Sequence, residues 1–191
     1  APGRSGGRAR VRPVLFVLAG PNGAGKSTLY QTRLRPITAA PFINADLIAS
    51  QHWPGSELQH AYDASRLAAE ARAEAIAERR SFVTETVFSH ASKLELIPQA
   101  QTAGYVVTLH VVMIPEALAV ARARLRSEQG GHAVPEDKVR ARFHRLWPNV
   151  EQAGTLADET LIYDNSLARR PLRLVACYEA GKPTWSGVWP E

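Results

Sequence analysis

The feature that most constrains this chain is the run from Val14 to Thr28, Val-Leu-Phe-Val-Leu-Ala-Gly-Pro-Asn-Gly-Ala-Gly-Lys-Ser-Thr. Six apolar residues, enough for a strand buried on both faces, lead into Gly20, and four residues then separate Gly20 from Gly25-Lys26-Ser27. Glycines in such a loop let the backbone curl and bring successive N–H groups onto one anion. A helix starting near Gly25 aims the positive end of its dipole at the same point. Strand, glycine loop and helix in that order make a P-loop, which predicts binding of a nucleoside triphosphate. Lys26 is expected to reach the β- and γ-phosphates and the Ser27 hydroxyl to ligate Mg²⁺. Gly20, Asn22, Gly23, Ala24, Gly25 and Thr28 complete the expected cradle.

The remainder of the chain alternates strand and helix signals, which predicts a mainly parallel sheet covered on both faces. The expected fold is α/β, a P-loop kinase-like three-layer α/β/α sandwich with a helical lid. Residues 1–12 read as a disordered basic tail, residues 13–191 as a single domain, and residues 122–145 as the lid. The P-loop helix should run to about Leu34, before Pro36. Pro41 to Asp46 reads as a short strand delivering Asp46 at its carboxyl end, the edge where open α/β sheets bind ligands. An alanine-rich helix is expected from about Gly55 to Arg80, with Arg66 facing solvent. The run from Ser81 to Phe88 reads as a strand that brings Glu85 and Thr86 to the same edge. A helix from His90 to Ala103 and a central buried strand from Tyr105 to Ile114 follow. Helices are then expected from Pro115 and over Pro135 to Leu146, separated by Gln129-Gly-Gly-His-Ala-Val-Pro135. A strand over Glu159 to Asn165 and a hairpin through Ala180-Gly-Lys182 end the chain.

Charge needs to be located before it is interpreted. Of 23 Lys and Arg, Arg4, Arg8, Arg10 and Arg12 lie in the leader, leaving 19 against 18 acidic residues. The folded part is therefore nearly neutral, and nucleic acid is not the expected partner. What remains is local: Arg122 to Arg145 holds seven Lys and Arg against Glu128, Glu136 and Asp137. Arg122 and Arg126 share a helical face, and with Arg142 they are read as a clamp on the transferring phosphate, with Arg124 and Arg145 as solvated charges. Cys177 sits in an apolar run and reads as a small buried hydrophobe. His52, His60, His90 and His144 form no constellation, and no transition-metal site is expected. Trp147, Trp185 and Trp189 read as packing residues. No run is long enough to span a bilayer, which with the single cysteine suggests a cytoplasmic protein.

Among P-loop proteins, a GTPase needs an Asn-Lys-x-Asp element, which is absent, and no paired acids of a large ATPase stand at a strand end. A carboxylate near the P-loop together with an arginine-bearing lid instead suits a kinase acting on a small hydroxyl acceptor. Gly20-Pro-Asn-Gly-Ala-Gly-Lys-Ser-Thr28, Ile43-Asn-Ala-Asp46, Thr84-Glu-Thr86, Arg122-x3-Arg126-x3-Gly-Gly-His-x-Val-Pro135 and Arg142-Phe143, in this order, resemble the short branch of the zeta-toxin family of P-loop kinases. The resemblance implies ATP and Mg²⁺ as cofactors, UDP-N-acetylglucosamine as an acceptor phosphorylated on a sugar hydroxyl, and an antitoxin as partner. It implies that Lys26 and Ser27 serve ATP and magnesium, that Asp46 is the catalytic carboxylate, and that Glu85 and Thr86 line the acceptor site. Arg122 or Arg126 would act on the phosphate. Larger members carry an arginine where His132 stands, which moves that role to Arg142 and leaves His132 as a lid contact. Two other readings remain open: a nucleic-acid-binding or end-modifying protein using the basic segment, and a regulator that holds ATP without catalysis.

Overall fold

The computed structural model describes residues 11–86, 88, 91–128 and 135–190. Seven strands form one sheet: β1 (Val14–Ala19), β2 (Phe42–Ile43), β3 (Phe82–Thr86), β4 (Val106–Met113), β5 (Glu159–Asp164), β6 (Arg173–Glu179) and β7 (Lys182–Ser186). Their order is β2-β3-β1-β4-β5-β6-β7. The first five are mutually parallel, and β6 and β7 add an antiparallel hairpin. β1 lies between β3 and β4, with Leu15 opposite both Phe82 and Val107. From β1 the chain goes out to β2, returns to β3, and crosses to β4 on the other side. Ligands bind where strand order reverses in this way, at the carboxyl ends.

The helices are α1 (Lys26–Leu29), which continues as a wider π-type turn over Tyr30–Leu34, α2 (Ala45–His52), α3 (Ala61–Ala77), α4 (Leu96–Thr102), α5 (Glu116–Glu128) and α6 (Glu136–Leu156). Alternation along the strands divides the core between two faces. Leu15, Val17, Val107 and Leu109 pack with Ala68 and Ala75 of α3, Ile97 of α4, and Leu146 and Val150 of α6. Leu18, Val83 and Val112 pack with Leu29 of α1, Ala119 of α5 and Leu172. Each layer thus hides an apolar face of the sheet, and cutting back a buried leucine such as Leu109 or Leu146 to alanine costs about 2–5 kcal/mol. The three-layer α/β/α architecture and mainly parallel sheet expected from the sequence are present.

Several local expectations are corrected. Asp46 does not end a strand: the chain turns at Asn44, whose side chain accepts from the Leu47 N–H at 3.1 Å, and Asp46 sits in the first turn of α2. The alanine-rich helix begins at Ala61, because the preceding residues close tight turns such as Gln59 N–H to Ser56 O. The segment expected to be helical from His90 begins as a 3₁₀ turn over Ala91–Glu95, and His90 lies outside the described residues. α6 does not stop at Leu146 but runs through Pro148 to Leu156. Its apolar stripe of Val139, Leu146, Val150 and Ala153 continues across the proline, and burying it outweighs one lost N–H bond. Arg12 is not a tail residue, since its guanidinium donates to the carbonyls of Gly104 and Tyr105. Trp185 and Trp189 are nearly half exposed and lie outside the core clusters, whereas Trp147 packs against the core. Among the described residues no helix is long and apolar enough to cross a membrane.

Candidate active site

The loop between β1 and α1 owes its shape to glycine at two close approaches. A Cβ on Gly20 would stand 2.4 Å from the Val112 carbonyl oxygen, and one on Gly25 would stand 2.4 Å from Nδ2 of Asn165. Gly25 also adopts a φ of 100°, a conformation side chains resist. Asn165 follows β5 and holds the loop from outside. Its amide donates to the Ala24 carbonyl at 2.7 Å, its side-chain oxygen accepts from Leu172 N–H, and its own carbonyl accepts from Arg122. The Arg122 guanidinium also donates to the Gly23 carbonyl at 3.0 Å. Arg122, expected in the phosphate clamp, is thus engaged with two backbone carbonyls that fix the loop.

Lys26 is buried at the start of α1. Its ammonium donates to the carbonyls of Gly20 and Pro21 at 2.9 and 3.0 Å and lies 3.2 Å from Oε1 of Glu85. The other carboxylate oxygen of Glu85 accepts from Nδ2 of Asn44 at 2.9 Å. A polar chain therefore runs from the phosphate lysine through Glu85 and Asn44 to the N-terminus of α2, where Asp46 sits. Ser27 and Thr28 are exposed in the first turn of α1, so the Ser27 hydroxyl is open to a cation that keeps water and phosphate ligands.

Beside this chain opens a cavity of about 480 Å³. Asn44, Asp46, Thr84 and Glu85 form its wall next to the P-loop; Ser65, Ala68, Ala69, Arg72, Ala73 and Ile76 of α3 form a second, and Lys93, Glu95, Leu96 and Gln99 a third. Thr84 donates to the Ile43 carbonyl at 3.0 Å and so ties β2 to β3 beneath the cavity. Small side chains on one face of α3 leave this space, so the helix is alanine-rich where a ligand would lie.

The expected residues therefore divide. Lys26, Asp46 and Glu85 gather between loop and cavity. Arg142 is exposed on α6 and lines a small cleft with Pro21 and Asn22 of the loop. Arg126 belongs to α5 and Thr86 to β3, but their side chains lie outside the described residues, as does all of His132 with Gly130 and Gly131. Arg124 pairs with Glu128, Arg140 with Glu116 and Glu136, and Arg66 with Glu70, all at the surface. Asn44, Arg72 and Asn165 were not anticipated. Asn44 had a readable signal, a helix-capping residue followed by an acid in the first turn. Asn165 and Arg72 had none, because their surroundings come from distant segments.

His110 and Cys177 are among the groups perturbed outside the site. His110 on β4 is buried beside Tyr163, 3.3 Å from its hydroxyl, and loss of solvent lowers its pKa to about 4. Its Nε2 has no partner among the described residues. Cys177 is half-buried, and burial raises its thiol pKa, as suits an unreactive thiol.

A family model described as "Zeta toxin" matches residues 5–170. Among curated proteins no match is found. A chain of the PezAT chromosomal toxin-antitoxin system of Streptococcus pneumoniae superposes with a TM-score of 0.69 at 16% identity, over 96% of this chain and 78% of that one. A complex of AvrRxo1-ORF1 and -ORF2 with ATP gives 0.69 at 16% identity over 91% of this chain, which spans 60% of the other. A putative kinase from Chloroflexus aurantiacus gives 0.55 at 20% identity, over 69% and 76% of the two chains. These likenesses are ones of fold.

Proposed function

The chain belongs to the zeta-toxin family of P-loop kinases, and on that premise we propose that it transfers the γ-phosphate of ATP to a hydroxyl of a small molecule bound in the cavity beside Asp46. The observation that carries this reading is the meeting of two compartments. A glycine cradle with a buried lysine lies on one side of Glu85, and a roomy cavity with a carboxylate on its wall lies on the other.

In this reading the loop N–H groups and Lys26 hold the triphosphate, and Lys26 leaves Glu85 when the phosphates enter. Mg²⁺ would be held by the Ser27 hydroxyl and the nucleotide phosphates, where it would neutralise charge developing on the phosphoryl oxygens. Asp46 accepts the proton of the acceptor hydroxyl, or orients that hydroxyl, while Glu85 and Thr86 line the acceptor side. Arg126 and Arg142 supply donors to the transferring group, with His132 as a contact of a lid over residues 122–145. Arg122 acts by keeping the loop in shape. The whole is one domain.

The acceptor we propose is a nucleotide-sugar such as UDP-N-acetylglucosamine. An antitoxin is the proposed protein partner, by analogy with the toxin-antitoxin system of the pneumococcal neighbour, and the cytoplasm, where ATP and such acceptors meet, is the proposed location. The nucleic-acid reading loses support because Arg124 and Arg140 of the basic segment are paired with acids and Arg122 with backbone. Incubation with Mg²⁺ and γ-labelled ATP, with UDP-N-acetylglucosamine or a bacterial metabolite extract, tests the reading. A metabolite gaining one phosphoryl group supports it. ATP binding with no labelled product from either source favours the non-catalytic regulator.

A further inference from the structure

Arg72 differs from the other arginine of α3. Arg66 faces outward and pairs with Glu70 at 2.7 Å. Arg72 is half-buried, lines the cavity, and has neither a hydrogen bond nor an ion pair among the described residues. Loss of solvent lowers its pKa, with no carboxylate near enough to oppose that effect. A guanidinium partly withdrawn from water, with no protein acceptor, gains a charge-assisted partner when an oxyanion arrives with a ligand.

Its setting points the same way. Ala68, Arg72 and Ile76 follow one another at helical spacing along α3, and all three line the cavity. Ala69 and Ala73 on the same helix line the cavity beside Arg72. Of the carboxylates lining the same cavity, Glu85 is already matched by Lys26. Asp46 and Glu95 stand beyond ion-pairing distance of Arg72. Lys93, entering from the 3₁₀ turn, adds a second cation to the lining.

We propose that Arg72, supported by Lys93, binds an oxyanion carried by the acceptor, a phosphate or a carboxylate distinct from the hydroxyl that is phosphorylated. This deepens the kinase reading of the cavity and rests on it. It makes Arg72 a determinant of acceptor specificity: planar paired donors select an oxyanion, and a neutral alcohol of the same size leaves them unmatched.

The test uses the full chain labelled with ¹⁵N-arginine and saturated with Mg²⁺ and ADP, so that the P-loop is filled. Inorganic phosphate and, separately, acetate are titrated in while the arginine Nε–Hε signals are followed. The Arg72 signal is identified by its loss in Arg72→Lys and Arg72→Gln, with thermal melting used to select a folded variant. The proposal expects the Arg72 signal to move saturably while that of Arg66 stays in place. A stronger response to phosphate assigns a phosphorylated acceptor, and a stronger response to acetate a carboxylated one. An Arg72 signal that neither ion moves, or that moves only in step with Arg66, overturns the proposal. The kinase reading fails separately. A labelled product whose parent carries neither phosphate nor carboxylate would overturn the role of Arg72 and leave the kinase standing. Absence of any labelled product, with the Arg72 signal still responding, would do the reverse.

Discussion

The ammonium of Lys26 lies 3.2 Å from a carboxylate oxygen of Glu85, at the border between the glycine loop and the cavity. Because the same carboxylate accepts from Asn44, which caps α2, the glycine loop and the cavity wall share one ionic contact.

Nucleotide binding must exchange this contact for one with phosphate, so Glu85→Gln removes a competitor for Lys26. The variant should bind ATP as tightly as the parent or up to about tenfold more tightly, and should lose at least about tenfold in kcat/KM for the acceptor. Calorimetric titration with ATP and steady-state transfer kinetics check the two halves independently.

Asn165 ties the P-loop to a distant segment: its side-chain amide donates to the Ala24 carbonyl, and its side-chain oxygen accepts from Leu172 N–H. Asn165→Ala leaves the Ala24 carbonyl and the Leu172 N–H without those partners, at a cost of about 2–4 kcal/mol. The denaturation midpoint should fall accordingly, with ATP affinity falling alongside it as the loop loosens. Stability loss without any change in affinity would limit Asn165 to folding.

The alanines of α3 are predicted to matter by being small. Ala69→Leu keeps a strong helix former, so melting temperature and ATP affinity should hold, but the larger side chain enters the cavity. KM for the acceptor should rise by about tenfold or more. An unchanged KM would place the acceptor elsewhere.

His110 predicts a pH dependence unrelated to catalysis. Its pKa in the folded state is about 4, against an ordinary value of 6.5, so the unfolded chain takes up a proton first as pH falls. Its contribution is complete above pH 6.5 and is lost progressively as pH falls from there towards 4, amounting to about 3 kcal/mol. Unfolding free energies measured across this range should show the loss, and His110→Leu should flatten it.

How far the sequence carries depends on the range of the interactions involved. The P-loop, the buried strands and the order of the layers follow from local spacing and continuous apolar runs, and these were legible. The sequence places Asp46 at a strand end, whereas Asn44 caps a helix there and Asp46 lies in its first turn. The helix expected over Pro135 to Leu146 continues through Pro148 to Leu156, because the apolar stripe extends on both sides of the proline. Arg122 shows the opposite limit. Its spacing from Arg126 suggests a clamp, but its partner Asn165 is 43 residues away, and only the folded chain brings the two together. Arg72 was hidden for the same reason, since an arginine in a polar helix looks solvated until the opposite cavity walls are in place.

The central claim, that a hydroxyl beside Asp46 receives the γ-phosphate, is tested most directly by comparing Asp46→Asn with the parent for ATP affinity and for transfer of labelled phosphate. The account predicts ATP affinity within about twofold and transfer reduced by about 10²–10⁴-fold, the usual worth of a positioned proton acceptor. An Asn variant that binds ATP equally well and transfers phosphate at the parent's rate would contradict it.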